Sequence, residues 1–204
     1  MTASETQHET AKAILNAGKA ALVAQGYAGL STRGIAEEAG VPLSQIHYHF
    51  GSKQNLVLAV LERENQRLLD RQAEMFESEL PVWQQWEMAC DFLEADLESG
   101  YVRVLHEMIA AGWSDPVIAD VVWRQLRGWH DLLESVAHRA KTRFGGLGPF
   151  TPKEIAALAA IPFIGAEAYL LLGVSEKDMP ARTALRKLGH VIRLIEEAAG
   201  DAST

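Results

Sequence analysis

Apolar residues recur at every third or fourth position along almost the whole chain, and no stretch alternates long enough to predict a strand. The pattern predicts a first helix that ends at Gly26, a short second helix over about 31–40 and a third over about 43–49. Ser52 can cap a long fourth helix. Two short helices joined by a glycine-containing turn, behind a first helix, predict a helix-turn-helix unit in a three-helix core.

The same periodicity continues beyond residue 80, where the strongest helix start is Thr151-Pro152-Lys153-Glu154. A capping threonine, a proline in the first turn and a glutamate three residues after the cap are all typical of helix N-termini. Gly173 is predicted to end that helix, and a last helix follows over about 180–199. We therefore expect an all-α fold.

Charge is unevenly distributed along the chain. The 204 residues carry a net charge of -8, yet residues 1–53 hold four basic and four acidic side chains, so the remainder supplies the whole excess of acid. An acidic protein can therefore still present a nucleic-acid surface at its neutral N-terminal end. The N-terminus shows no secretory pattern, and we expect a cytoplasmic protein.

The single cysteine, Cys90, excludes an internal disulfide framework and a zinc site built only from cysteines. It lies at helical spacing among apolar residues, which favours a buried thiol over a redox sensor.

Residues 155–174 are long and apolar enough to raise the question of a membrane span. Pro162 and Glu167 interrupt the segment, and its composition is rich in alanine and glycine. We expect a buried or interfacial helix and no membrane partner.

Residues 26–56 read GYAGLSTRGIAEEAGVPLSQIHYHFGSKQNL. This stretch resembles the DNA-binding segment of the TetR family of one-component transcriptional repressors. The shared features are a glycine that closes helix one, Thr-x-x-x-Ile-Ala entering helix two, Ala-Gly-Val at the turn, a His/aromatic cluster and a Ser-Lys pair that opens helix four. The resemblance implies an N-terminal DNA-binding domain over 1–52 and a helical effector-binding and dimerisation domain over 53–204.

The second helix of a helix-turn-helix enters the major groove, where side chains near its N-terminus reach base edges. In this chain those are Leu43, Ser44 and Gln45. Helix N-termini and cationic side chains favour phosphates. The resemblance implies that the DNA backbone is contacted by a further set: Thr32, Arg33, His47, Tyr48 and Lys53.

The segment departs from the family pattern at two positions. Pro42 stands where a capping serine or threonine is common, so the recognition helix is expected to start differently. His47 replaces a usual tyrosine and can offer a charged contact when protonated. His49 can pack against the first helix or face DNA, and neither reading is favoured.

The middle of the chain is rich in aromatic residues, since all five tryptophans lie between Trp83 and Trp129. They can form plain core or line a cavity, because ligand cavities are mostly apolar with a few polar groups. The candidate pocket residues are Trp83, Trp86, Phe92, His106, Met108, Trp113, Trp123 and His130.

Small and apolar residues on the last two long helices predict a two-fold dimer. The candidate interface residues are Ala159, Gly165, Leu172, Leu188 and Ile192.

Together these features predict a non-enzymatic homodimer that binds a pseudo-palindromic operator in double-stranded DNA. We expect a repressor that a small-molecule effector releases, without a cofactor or bound metal. The alternative is a helical enzyme or carrier that acts on a hydrophobic small molecule. No catalytic triad, metal-ligand spacing or phosphate loop supports that alternative.

Overall fold

A computed structural model describes residues 3–201, which form helices and no strand. The all-α prediction is confirmed. The helices are α1 (Ala3–Gly29), α2 (Thr32–Glu38), α3 (Leu43–Phe50), α4 (Lys53–Glu77), α5 (Val82–Ser99), α6 (Tyr101–Gly112), α7 (Pro116–Phe144), α8 (Pro152–Leu171) and α9 (Ala181–Asp201).

Local capping explains where several of these helices begin. Ser31 Oγ accepts from Gly34 N–H at 3.0 Å ahead of α2, and Ser52 Oγ accepts from Asn55 N–H at 3.1 Å ahead of α4. Thr151 forms a complete capping box at the start of α8. The predicted helix starts are therefore confirmed at atomic detail.

Gly26 breaks α1 with a φ of 69°, in the left-handed region. A Cβ atom there would lie 2.9 Å from Glu107 Oε1. The next residue, Tyr27, donates its backbone N–H to Glu107 Oε2 at 3.0 Å. Only glycine combines this backbone angle with this close approach, so the helix is interrupted at Gly26, the residue predicted to end it, and one further turn reaches Gly29.

The chain divides into two compact units, one of residues up to 67 with 100–125, and one of 68–99 with 126 onward. These units are defined by packing. The predicted division into a DNA-binding domain (1–52) and an effector-binding domain (53–204) is functional, and it stays a prediction.

Within the first unit, α1, α2 and α3 pack together as a three-helix group. Glu64 on α4, 6% exposed, links this group to α4. Its carboxylate pairs with Lys19 at 2.8 Å, Arg63 at 2.9 Å and Arg67 at 3.3 Å. Burial alone would raise the pKa of Glu64, but hydrogen bonds and charge from Lys19 and Arg63 outweigh it, so the pKa is lowered.

Within the second unit, α5 and α9 pack tightly. A Cβ atom on Gly189 would lie 2.8 Å from Trp86 Cδ1, so the glycine permits the close approach. The Trp86 indole N–H donates to the Leu185 carbonyl at 2.7 Å. The side chain of Arg186 pairs with Glu87 at 2.8 Å and with Asp91, which ties the same two helices at their surface.

Among the described residues, α8 alone has the length and composition of a membrane span, and 28% of its apolar window is buried. One side of α8, which includes Ala156, Ala160, Phe163 and Ala166, is buried. Its exposed apolar residues lie along the other side.

Candidate nucleic-acid interface and ligand cavity

The recognition helix α3 is fixed by its inner face. Ile46 is fully buried, as is Ile35 on α2, and α2 packs against α3. On the outer side Ser44 is exposed, while Leu43 and Gln45 are half-buried. The three predicted base-reading residues therefore occupy the first turn of a helix that is held by its apolar core.

Pro42 occupies the N-cap position of α3, and its side chain makes no capping hydrogen bond. The backbone starts the helix instead, because Gln45 N–H donates to the Pro42 carbonyl at 2.9 Å. The recognition helix thus starts without the side-chain cap that serine or threonine would provide.

Two cationic side chains stand at helix starts. Arg33 is in the first turn of α2 and is exposed, next to half-buried Thr32. Lys53 is the first residue of α4, and its Nζ lies 4.8 Å from the centroid of the Tyr27 ring. A cation beside free helical N–H groups is a suitable partner for a phosphate.

His47 and Tyr48 are also exposed on α3. His47 Nδ1 lies 3.2 Å from the Gly51 carbonyl. Because a carbonyl can only accept, Nδ1 carries the proton in that contact. Tyr48 is 67% exposed, and its hydroxyl accepts from Gln7 Nε2 at 3.2 Å.

The first turns of α1 are a part of this surface that sequence reasoning missed. Thr6, Gln7 and Thr10 line a groove with Gln45 and Tyr48 of α3. The recognised motif begins later in α1, and polar residues at a chain start give no periodic signal, so nothing in the sequence pointed to them. Gln7 positions the Tyr48 hydroxyl from outside the motif.

A cavity of about 230 Å³ lies within the second unit, lined from α4, α5, α7, α8, α9 and the loop before α8. Its wall is almost entirely apolar. Representative wall residues are Phe76, Val82, Ala89, Leu133, Val136 and Phe163. The rings of Trp86 and Trp129 pack around Phe163, with centroids 5.1 and 6.0 Å away.

Three polar side chains interrupt this wall: Gln85, Trp129 and Glu196. Gln85 is 3% exposed, and its Nε2 donates to the carbonyls of Ser78 and Leu80, both at 3.1 Å. Glu196 Oε2 accepts from the backbone N–H of Trp83 at 2.9 Å.

Each of these side chains also has a buried atom without a hydrogen-bond partner among the described residues. The atoms are Gln85 Oε1, Trp129 Nε1 and Glu196 Oε1. Arg143 lies 3.9 Å from Glu196 Oε1, beyond hydrogen-bond distance. Buried polar atoms without partners are costly, so they mark a place where a ligand or water can bind.

Of the eight residues predicted for a pocket, the structure brings Trp86 into this cavity. Met108 is fully buried in the first unit, while Trp113 and Trp123 are 81% and 53% exposed. Helical periodicity predicts that a residue lies on the apolar face of its helix, but not which other helices pack against that face. For this reason most of the predicted residues do not line the cavity. The remaining predicted residues outside this cavity are Trp83, Phe92, His106 and His130.

Cys90 is 4% exposed on α5. Burial raises the pKa of its thiol to about 11, with smaller contributions from nearby charges. A thiol that stays protonated at neutral pH is a poor nucleophile, so the structure supports the buried-thiol reading. No group of three His, Cys, Asp or Glu that could hold a metal ion occurs among the described residues.

An exposed apolar stripe runs along α8 and α9. Gly165 is exposed, and the predicted interface residues Leu172 and Leu188 are 78% and 39% exposed. Ala159 and Ile192 are half-buried and line the cavity instead. The exposed stripe also includes Leu158, Ile161, Tyr169, Val191, Leu194 and Ile195, of which Val191 and Ile195 were expected at the interface from the sequence.

Comparison with known proteins gives a family for the N-terminal part. Residues 14–60 match the family model described as bacterial regulatory proteins, tetR family. The matched range runs from α1 into α4 and includes all eight predicted DNA contacts. No curated protein sequence matches the chain.

Solved structures share the fold over almost the whole chain. A TetR transcription regulator from Haloarcula marismortui is 20% identical, over 90% of this chain and 98% of its own, with a TM-score of 0.74. The transcriptional regulator FadR from Bacillus subtilis, in complex with stearoyl-CoA, is 11% identical over 89% and 96%, with a TM-score of 0.75. NemR from E. coli, in its reduced form, is 20% identical over 88% and 96%, with a TM-score of 0.70.

Proposed function

We propose that the protein represses transcription from a pseudo-palindromic operator and is released by a small-molecule ligand; the match of its N-terminal segment to the tetR family model supports this proposal. The observation that carries the proposal is α3, which buries Ile46 completely and leaves Ser44 exposed in its first turn. A helix held in this way can enter the major groove without unfolding its support.

Readout and positioning are assigned to different side chains. Gln45 can form two hydrogen bonds with adenine, and Ser44 can donate or accept. Arg33, Lys53 and His47 supply cationic or neutral contacts to phosphates, which orient the protein without reading sequence. Such a division is needed for operator specificity.

A homodimer is supported by the exposed apolar stripe on α8 and α9. One three-helix group reads one half-site, and a pseudo-palindrome needs a second group about one DNA turn away. Leu172 at 78% and Ile195 at 61% exposure would be unfavourable in water, whereas a self-complementary contact would cover both.

The cavity supports a ligand-responsive role, because its apolar wall contains polar atoms without partners. The complex of Bacillus FadR with stearoyl-CoA shows that a protein of this fold can bind a small molecule. The site of action would be the cytoplasm, where the operator is accessible.

Operator selection tests the DNA-binding part of the proposal. Random duplexes are passed over the purified protein, and bound sequences are recovered and sequenced. We expect an inverted repeat to be enriched, which a gel shift then confirms against scrambled duplex. Enrichment of no sequence, or of a single half-site without symmetry, would contradict the proposal. The variant Ile46→Asp, which unseats α3, is a negative control for enrichment.

A further inference from the structure

We propose that the cavity of the second unit binds a small neutral molecule with a hydroxyl group on an apolar body, such as a phenol or an alcohol. This assignment rests on the proposed function, because it names the class of ligand for that site. It follows from the direction of the hydrogen bonds that the wall leaves unmade and from the size of the cavity.

Gln85 fixes one requirement. Its Nε2 faces the carbonyls of Ser78 and Leu80, so the opposite amide orientation would place oxygen against two acceptors. The atom left without a partner among the described residues is therefore Oε1, which can only accept. A ligand must bring a donor to satisfy it.

Trp129 fixes the opposite requirement. An indole Nε1–H can only donate, and this one is buried without a partner among residues 3–201. A ligand must therefore also bring an acceptor. A hydroxyl group brings one donor and an acceptor, so it can bond Trp129 and one of the two unpartnered acceptors, whereas an ammonium group cannot accept, and a ketone or carboxylate cannot donate.

Glu196 argues against an acidic ligand. Its unpartnered Oε1 belongs to the same wall, and Arg143 at 3.9 Å is 60% exposed and so only weakly compensates the charge. A carboxylate or phosphate brought into the cavity would meet a second anion in a low-dielectric environment.

Size limits the apolar body. An engineered cavity of about 150 Å³ binds benzene, so a volume of about 230 Å³ scales to about nine non-hydrogen atoms. The compound para-ethylphenol has this size and one hydroxyl. Its isostere para-ethyltoluene replaces the hydroxyl by a methyl group. The anion para-ethylbenzoate carries a carboxylate and two further non-hydrogen atoms, so its response to Glu196→Gln, which changes the charge of the wall without changing its size, isolates the effect of charge.

Calorimetric titration of the full chain with these three compounds tests the proposal. We expect para-ethylphenol to bind about tenfold or more tightly than para-ethyltoluene, and para-ethylbenzoate to bind most weakly. Equal affinities of the phenol and the hydrocarbon, tighter binding of the carboxylate, or no heat from any of the three would overturn the proposal.

Two variants locate the preference. Trp129→Phe removes the indole N–H and keeps an aromatic ring, so the phenol should lose most of its advantage over para-ethyltoluene. Glu196→Gln should strengthen para-ethylbenzoate relative to the unaltered protein. The matched control is Trp113→Phe, because Trp113 is 81% exposed and lies outside this cavity. An unchanged preference in Trp129→Phe would refute the assigned donor.

A gel shift separates this proposal from the proposed function. If para-ethylphenol binds with the expected preference but leaves the operator bound, release by that ligand fails while the ligand class stands. If a hydrocarbon or an acid of similar size releases the operator instead, the function stands and the ligand class is overturned.

Discussion

The surface around α3 and the cavity of the second unit differ in chemistry and in construction. Around α3 the candidate residues, apart from Leu43, are polar or cationic, lie within 32–53 and are exposed or half-buried. The cavity wall is apolar, and its residues come from 76–196. A surface of this kind can lose one contact and keep the others, whereas a wall shared by five helices responds as a whole.

The largest expected effect is a loss of operator binding when the predicted dimer is disrupted. A Cβ atom on Gly165 would meet no atom within 4 Å, so Gly165→Arg should leave each chain folded while placing a charge in the exposed stripe. We expect monomers by light scattering and operator binding weakened by about a hundredfold or more, because the second half-site no longer binds in tandem. Ligand binding in the cavity should change less than operator binding, since of the exposed stripe residues only Ile195 also lines the cavity.

Gly146→Arg is the matched control, since that loop glycine also has open space around it. It should remain dimeric and bind the operator normally. An intact dimer in Gly165→Arg would count against this interface.

The next effect is a coupling between ligand affinity at the cavity and operator affinity at the α3 surface. Helix α4 runs from Lys53, a candidate phosphate contact, to Phe76, which lines the cavity. A ligand that weakens operator binding must itself be weakened equally when operator is present, by a factor of roughly 5 to 150. Titrating para-ethylphenol with and without operator measures this factor. Identical affinities would show that the cavity binds without acting as a sensor.

A third prediction tests whether base-reading and phosphate contacts around α3 act independently. Gln45→Ala should cost about 1–3 kcal/mol on the preferred operator and relax its sequence preference. Arg33→Ala and Lys53→Ala should weaken binding to every duplex and reduce its salt dependence. Binding curves on preferred and scrambled DNA at several salt concentrations distinguish the two behaviours. Equal losses on both duplexes for Gln45→Ala would contradict its base-reading role.

The smallest expected effect concerns the charges that support the three-helix group. The pKa of Glu64 is lowered in the folded protein, so its contribution to stability is present above the unfolded pKa and is lost as the pH falls through the folded value. Glu64→Gln should cost about 1–2 kcal/mol at neutral pH. This cost should shrink in acid below pH 4.5, the ordinary value for the group.

Urea unfolding at several pH values measures this difference. Glu62→Gln, an exposed neighbour on α4, is the control and should show little change. A cost for Glu64→Gln that does not vary with pH would contradict an electrostatic role.

Sequence alone predicted the helix boundaries well where local chemistry decides them. Ser31, Ser52 and Thr151 cap helices through bonds to residues three positions away, and Gly26 ends a helix through its own backbone angle. The DNA surface was identified for the same reason, because its residues lie close together in the chain.

The cavity could not be predicted in the same way, because its neighbours are distant in sequence. Trp83 and Trp86 are one turn apart on α5, yet only Trp86 lines the cavity. One usable signal was present at Gln85, a polar residue at helical spacing between Val82 and Ala89. Its amide completes a wall that periodicity describes as entirely apolar.

The five tryptophans therefore differ in their optical environment. Trp86 and Trp129 face the cavity, while Trp113 and Trp123 are mostly in water. Indoles in water emit at longer wavelength than buried ones, and soluble quenchers reach them first. The exposed pair thus gives an emission component at longer wavelength, which an occupant of the cavity leaves constant. The emission of the cavity pair, at shorter wavelength, can be measured relative to it. The protein carries its own internal fluorescence standard.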